Sequence, residues 1–175
     1  MAGYVIDPEV IPQARDMPMG CWIAGLAMIH NYKYPVPGKS QWELAQEGGS
    51  EFELYYSEGL PSSADPDIDK YGLLISTYNL LGLPPQTYTL AGWVDFLQRF
   101  GPLCVIVDAD ALNNKLNHLV VMQGIEWTNG FSDAWFHLVD TANGNAGVLG
   151  ADAFRAILET PDAVERTRFK GFAMP

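Results

Sequence analysis

Apolar residues crowd the segment after Cys21, where Trp22, Ala24, Leu26, Ala27, Met28 and Ile29 recur at helical spacing and predict a helix over 21–32. Pro35 and Pro37 then stop it. The same periodicity predicts a short helix over 41–47, a third over 68–81 with Gly82 as its C-terminal stop, and a fourth over 89–100 built on Trp93, Phe96 and Leu97 and ended by Gly101-Pro102. Beyond Pro102 the pattern changes to short β-branched and apolar runs. These predict strands at 103–108, 118–126, 134–140 and 147–149, with an Asn129-Gly130 turn between the second and third. A helix at 151–159 and a strand-like piece at 168–173 close the chain.

Two segments lack such periodicity. Residues 1–19 read as an extended lead punctuated by Pro8, Pro12 and Pro18. Residues 48–70, rich in Gly, Ser, Asp, Glu and Pro, read as a surface insertion ordered only in part. Helices first and an antiparallel sheet afterwards make this an α+β chain. With 175 residues, 48% of them hydrophobic, a single domain spanning 1–175 is expected.

A formal charge of −11 and ten scattered basic residues exclude a nucleic-acid binder, which needs clustered Lys and Arg. No run approaches the ~18 apolar residues of a membrane span, and the first residues lack the basic and apolar regions of a signal peptide. A soluble protein made in a cytoplasm is expected, with export by a signal-independent route left open. Two cysteines exclude a disulfide scaffold. Cys104 lies in an apolar strand pattern and reads as a small core hydrophobe.

The chemistry concentrates elsewhere. Cys21 follows Gly20 and opens the first helix, His118 heads the run His118-Leu119-Val120-Val121-Met122, and Asp140 ends Phe136-His137-Leu138-Val139-Asp140. A thiol at a helix start, an imidazole on a strand and a carboxylate on the next are the parts of a cysteine-nucleophile site. A helix N-terminus and an imidazolium both favour thiolate, so a Cys21 pKa below the ~8.5 of a free thiol is expected. Gly20 lets substrate approach the sulfur. Trp22 is a candidate for lining the substrate groove, with core packing its alternative. His137 and Asp140 point to opposite faces of one strand, so His137 reads as structural. His30 falls nine residues beyond Cys21, outside the site. The soft ligands form no metal-binding spacing, and Asp108 with Asp110 fits no calcium loop; no metal and no cofactor are expected.

The arrangement resembles the papain-like cysteine peptidases, nearest to compact bacterial members: the double-glycine leader peptidases and the plant-pathogen effector proteases. The resemblance rests on the run Cys21-Trp22-Ile23-Ala24-Gly25-Leu26-Ala27-Met28-Ile29, on Gly101-Pro102 before a strand, on His118 through Gly124, and on Asp140 followed by Asn143-Gly144. It implies a papain-like fold, with the nucleophile at the start of a helix packed on a C-terminal antiparallel sheet. It also implies a Cys21–His118–Asp140 triad, with Asn143 as the other candidate for orienting His118. The Gln13 amide and the Cys21 N–H would hold the oxyanion, and Gly20, Trp22 and Asn117 would contact substrate. The implied activity is amide-bond hydrolysis on a peptide or protein. Peptidoglycan amidase or acyltransferase chemistry uses the same triad, and a non-catalytic binding module uses the same fold. A bacterial effector or toxin with a cognate inhibitor or immunity protein fits the resemblance.

Overall fold

The computed structural model describes residues 2–61, 65, 67–108, 117–158 and 168–175. Its central element is helix α1 (Cys21–Lys33), in which every residue from Trp22 to Ile29 is buried. A helix apolar on all sides must be covered on all sides, and α1 is enclosed between the sheet and a set of smaller helices. These are α2 (Gln41–Gly48), α3 (Ser50–Glu58) and α4 (Tyr71–Thr77). Ser40 starts α2 with a reciprocal cap: Glu43 N–H donates to Ser40 Oγ, and Ser40 N–H donates to the Glu43 carboxylate.

The sheet contains β1 (Ala2–Val5), β2 (Leu81–Leu83), β3 (Leu103–Asp108), β4 (Asn117–Trp127), β5 (Trp135–Asp140), β6 (Ala146–Gly150) and β7 (Gly171–Ala173). Its order is β2-β7-β3-β4-β5-β6, all neighbours antiparallel. The long strand β4 pairs with β3 along 117–122 and with β1 along 124–127, so the N-terminal lead contributes a strand. One face of the sheet (Cys104, Ile106, Leu119, Val121, Val139, Phe172) packs on α1. The other (Val105, Val107, Val120, Met122, Phe136, Leu138) packs with Trp93 and Leu97 of α5 (Leu90–Phe100) and Phe154 and Leu158 of α6 (Ala151–Leu158). Helices on both faces explain why all six residues of β3 are buried and why its sequence does not alternate.

Among the described residues, six α-helices and this antiparallel sheet match the expected α+β class. Three local readings differ. The segment expected as a surface insertion carries α3: Gly49, at φ +92°, makes the tight turn from α2, and Phe52 and Tyr55 turn inward. The Tyr55 carbonyl accepts a hydrogen bond from Trp22 Nε1 at 3.2 Å, tying α3 to the start of α1. The helix expected over 68–81 is only Tyr71–Thr77, because Leu81–Leu83, with Gly82 inside it, is drawn into pairing with β7. The extended lead gains β1 because β4 outruns β3 and exposes backbone groups that need partners. No helix among the described residues is long and apolar enough to cross a membrane.

Candidate active site

Cys21 is the first residue of α1. Gly20 is buried before it; its N–H donates to Met17 O at 2.9 Å and its carbonyl accepts from Ala24 N at 3.0 Å, closing the first turn of the helix. Gly25 brings the helix close to the sheet: a Cβ there would stand 2.3 Å from Leu119 Cδ2 and 3.1 Å from Cys104 Sγ. That approach sets the start of α1 beside the start of β4, where His118 is the second residue.

Asp140 ends β5 opposite Val120. Two neighbours hold it there. The buried Thr141 hydroxyl donates to the Leu119 carbonyl, and the Gly144 N–H donates to the Asp140 carbonyl at 2.8 Å. The result is a contact of 2.7 Å between His118 Nε2 and Asp140 Oδ1, while the same carboxylate oxygen accepts the Ala142 N–H at 2.8 Å.

Cys21, His118 and Asp140 all line one cleft of about 650 Å3. Asn117 and Asp108 border it, and so does Arg15, whose N–H donates to Thr141 O at 2.8 Å. The remaining wall is mostly apolar, with Val107, Val120, Leu138, Leu149 and Ile157 from the sheet and α6.

The electrostatics depart from the expectation of a lowered thiol. Burial pushes the Cys21 thiol up, opposed by the N–H of Leu119, the charge of Arg15 and the N–H groups of Trp22 and Cys21 itself. Desolvation outweighs them and favours the neutral thiol. For Asp140 burial acts upward but loses. Hydrogen bonds from Ala142 N–H and His118, with the charges of His118 and Arg15, hold the carboxyl below its ordinary value.

Several expected site residues lie elsewhere. Trp22 is 1% exposed, packed against Phe52 at 5.8 Å, and lines no part of the cleft, because its position on α1 faces the small helices rather than β4. Gln13 does not line the cleft either; its N–H donates to Met28 Sδ at 3.4 Å and its backbone lies under Gly144. The Asn143 side chain accepts the Asn145 N–H at 2.8 Å within its own turn, leaving Asp140 as the residue on His118. His137 points away and pairs with Glu126 at 2.8 Å. His30 sits beside Tyr34 at another cavity. Cys104 is a fully buried free thiol. Asp110 lies outside the described residues. Sequence reasoning missed Arg15, a single basic residue in an irregular lead with no local pattern to mark it.

Residues 6–159 match the family described as papain-like cysteine protease AvrRpt2, a span that contains Cys21, His118 and Asp140. No curated protein matches the chain significantly. With a match over most of its length, the chain belongs to this papain-like cysteine protease family and is an enzyme of the cysteine peptidase class.

Proposed function

We propose that the protein hydrolyses peptide bonds with Cys21 as nucleophile, His118 as general acid and base, and Asp140 as the group that orients His118. The observation that carries this is the 2.7 Å contact between His118 Nε2 and Asp140 Oδ1 in the cleft that Cys21 also lines. An ionised Asp140 accepts a proton-bearing Nε2, so Nδ1 keeps its lone pair for the thiol. Nδ1 takes the Cys21 proton as Sγ attacks the scissile carbonyl carbon. The Cys21 N–H, at the start of α1, would donate to the resulting oxyanion. His118 then protonates the leaving amine, and an acyl-enzyme remains. Water, deprotonated by His118, attacks that thioester; Sγ leaves and the thiol is regenerated.

The thiol needs no standing negative charge in this scheme, since it ionises as it attacks. The apolar wall of Val107, Val120, Leu138, Leu149 and Ile157 suits a peptide with an apolar side chain near the scissile bond, and favours protein over cell-wall peptide as substrate. Delivery to another cell as an effector, with a cognate inhibitor in the producer, is consistent with membership of this family. The test incubates wild type and Cys21→Ala with a proteome and with purified peptidoglycan. New peptide termini only with wild type support the reading; cleavage that persists in the variant removes the mechanism, and release of cell-wall fragments alone moves the substrate to peptidoglycan.

A further inference from the structure

We propose that Arg15 is a positioning residue of the reaction, its guanidinium held in the cleft to stabilise the negative charge that Cys21 acquires. This rests on Cys21 being the nucleophile.

Arg15 is the only Lys or Arg among the described residues that line the cleft. The chain around it is clamped on both sides. Its own N–H donates to Thr141 O at 2.8 Å, next to Asp140. Before it, the Ala14 carbonyl accepts Gln41 Nε2 at 2.7 Å; after it, the Asp16 N–H donates to Gln41 Oε1 at 3.1 Å. Gln41 is 3% exposed, and its amide thus spends a donor and an acceptor on the two peptide groups that flank Arg15. A buried side chain amide satisfied only by such contacts fixes the local backbone. On the remaining side Gly144, at φ +72°, fits against the lead, where a Cβ would stand 3.0 Å from Ala14 N.

These contacts fix the main chain from which the Arg15 side chain reaches the cleft, and its guanidinium makes no ion pair within 4.0 Å among the described residues. The neighbouring acid is engaged elsewhere, as Asp16 accepts the Tyr56 hydroxyl at 3.3 Å. Among the described residues Arg15 therefore serves no structural salt bridge, and its charge bears on Cys21 and Asp140. Among the described residues, His118 on β4, Asp140 on β5 and Asp108 on β3 line the same cleft as Cys21, and Tyr71 on α4 and the Cys104 thiol interact with it electrostatically. Two carboxylates, Asp108 and Asp140, line this cleft beside the thiol, and a histidine acting as base brings no positive charge of its own before it takes the proton. Among the described residues lining the cleft, Arg15 is the permanent positive charge, and it acts to favour the Cys21 thiolate.

The experiment measures alkylation of Cys21 by iodoacetamide and by iodoacetate across pH, with steady-state cleavage of one peptide, for wild type, Arg15→Gln, Arg15→Lys, Gln41→Leu and Cys21→Ala. We expect Arg15→Gln to fold normally, to slow iodoacetamide labelling at neutral pH about five- to tenfold, to move the labelling profile to higher pH, and to lower kcat more than it raises KM. Arg15→Lys restores most of the rate, and Gln41→Leu reproduces the slower labelling with Arg15 intact. Iodoacetamide labelling that is unchanged in Arg15→Gln overturns the proposal. So does a loss confined to iodoacetate, which would make Arg15 a binding site for substrate anions. Failure of the underlying reading looks different: Cys21→Ala would then cleave as wild type does.

Discussion

His118 Nε2 and Asp140 Oδ1 stand 2.7 Å apart, joining the start of β4 to the end of β5. The contact depends on register: Val120 faces Asp140 across the two strands, so His118, two residues earlier on the same face, reaches past the strand end. Asp140→Asn keeps the shape but offers an amide that can present either its oxygen or its NH2 to the ring. We expect kcat to fall about 10²- to 10⁴-fold with little change in KM, read from steady-state kinetics on any cleaved peptide.

Cys21 and Cys104 should separate by reagent access. Cys104 is fully buried beneath α1, whereas Cys21 opens onto the cleft. Because burial holds the Cys21 thiol above its ordinary value, the resting thiol is neutral at pH 6. Mass spectrometry after brief iodoacetamide treatment should find Cys21 alone modified, slowly at pH 6 and faster toward pH 9. Fast labelling at pH 6 would instead reveal a standing thiolate–imidazolium pair.

Gly25 sets the distance between helix and sheet. A Gly25→Val side chain meets Leu119 and Cys104 in a packed core. The expected cost is about 1–3 kcal/mol, seen in urea unfolding. Activity at a temperature where the variant stays folded should fall as well, because α1 carries Cys21 away from His118.

Gly147 borders the cleft opposite Leu138, and a Cβ there meets nothing within 4 Å. Gly147→Leu places a side chain in open cleft space without touching the reacting groups. KM for a peptide with a large apolar residue should rise about tenfold or more, while iodoacetamide labelling of Cys21 stays at the wild-type rate.

Tyr55 is one of several tyrosines whose raised pKa ties stability to alkaline pH. Burial first, then the Glu51 carboxylate that accepts its O–H at 2.5 Å, pushes the phenol up to about 12. A raised folded-state pKa contributes stability that is complete below the ordinary tyrosine range near ~10 and is lost as pH climbs from there through the folded value. Urea midpoints should therefore drop between pH 10 and 12, and Tyr55→Phe should show a smaller drop over that interval.

Much of this architecture follows from local pattern. The all-round apolar run after Cys21 demanded an enclosed helix, and the β-branched runs after Pro102 became β3, β4, β5 and β6 at nearly the expected bounds. Cys21, His118 and Asp140 were legible because each sits at the boundary of such an element. Helix α3 was not: it needs only two inward residues, Phe52 and Tyr55, and its glycine-rich start resembles a linker. Strands β1 and β2 exist only because β4 and β7 offer them partners, and strand pairing over long separations leaves no local mark. The same reason hid the roles of Trp22, Gln13 and Arg15. The sequence by itself determined the strongly patterned elements, α1 and β3 to β6 among them, and the three side chains at their ends. Tertiary structure alone decided that Trp22 faces the core, that burial raises the thiol, and that an arginine from an irregular lead borders the cleft, because burial and electrostatic environment depend on what the rest of the chain packs around each group.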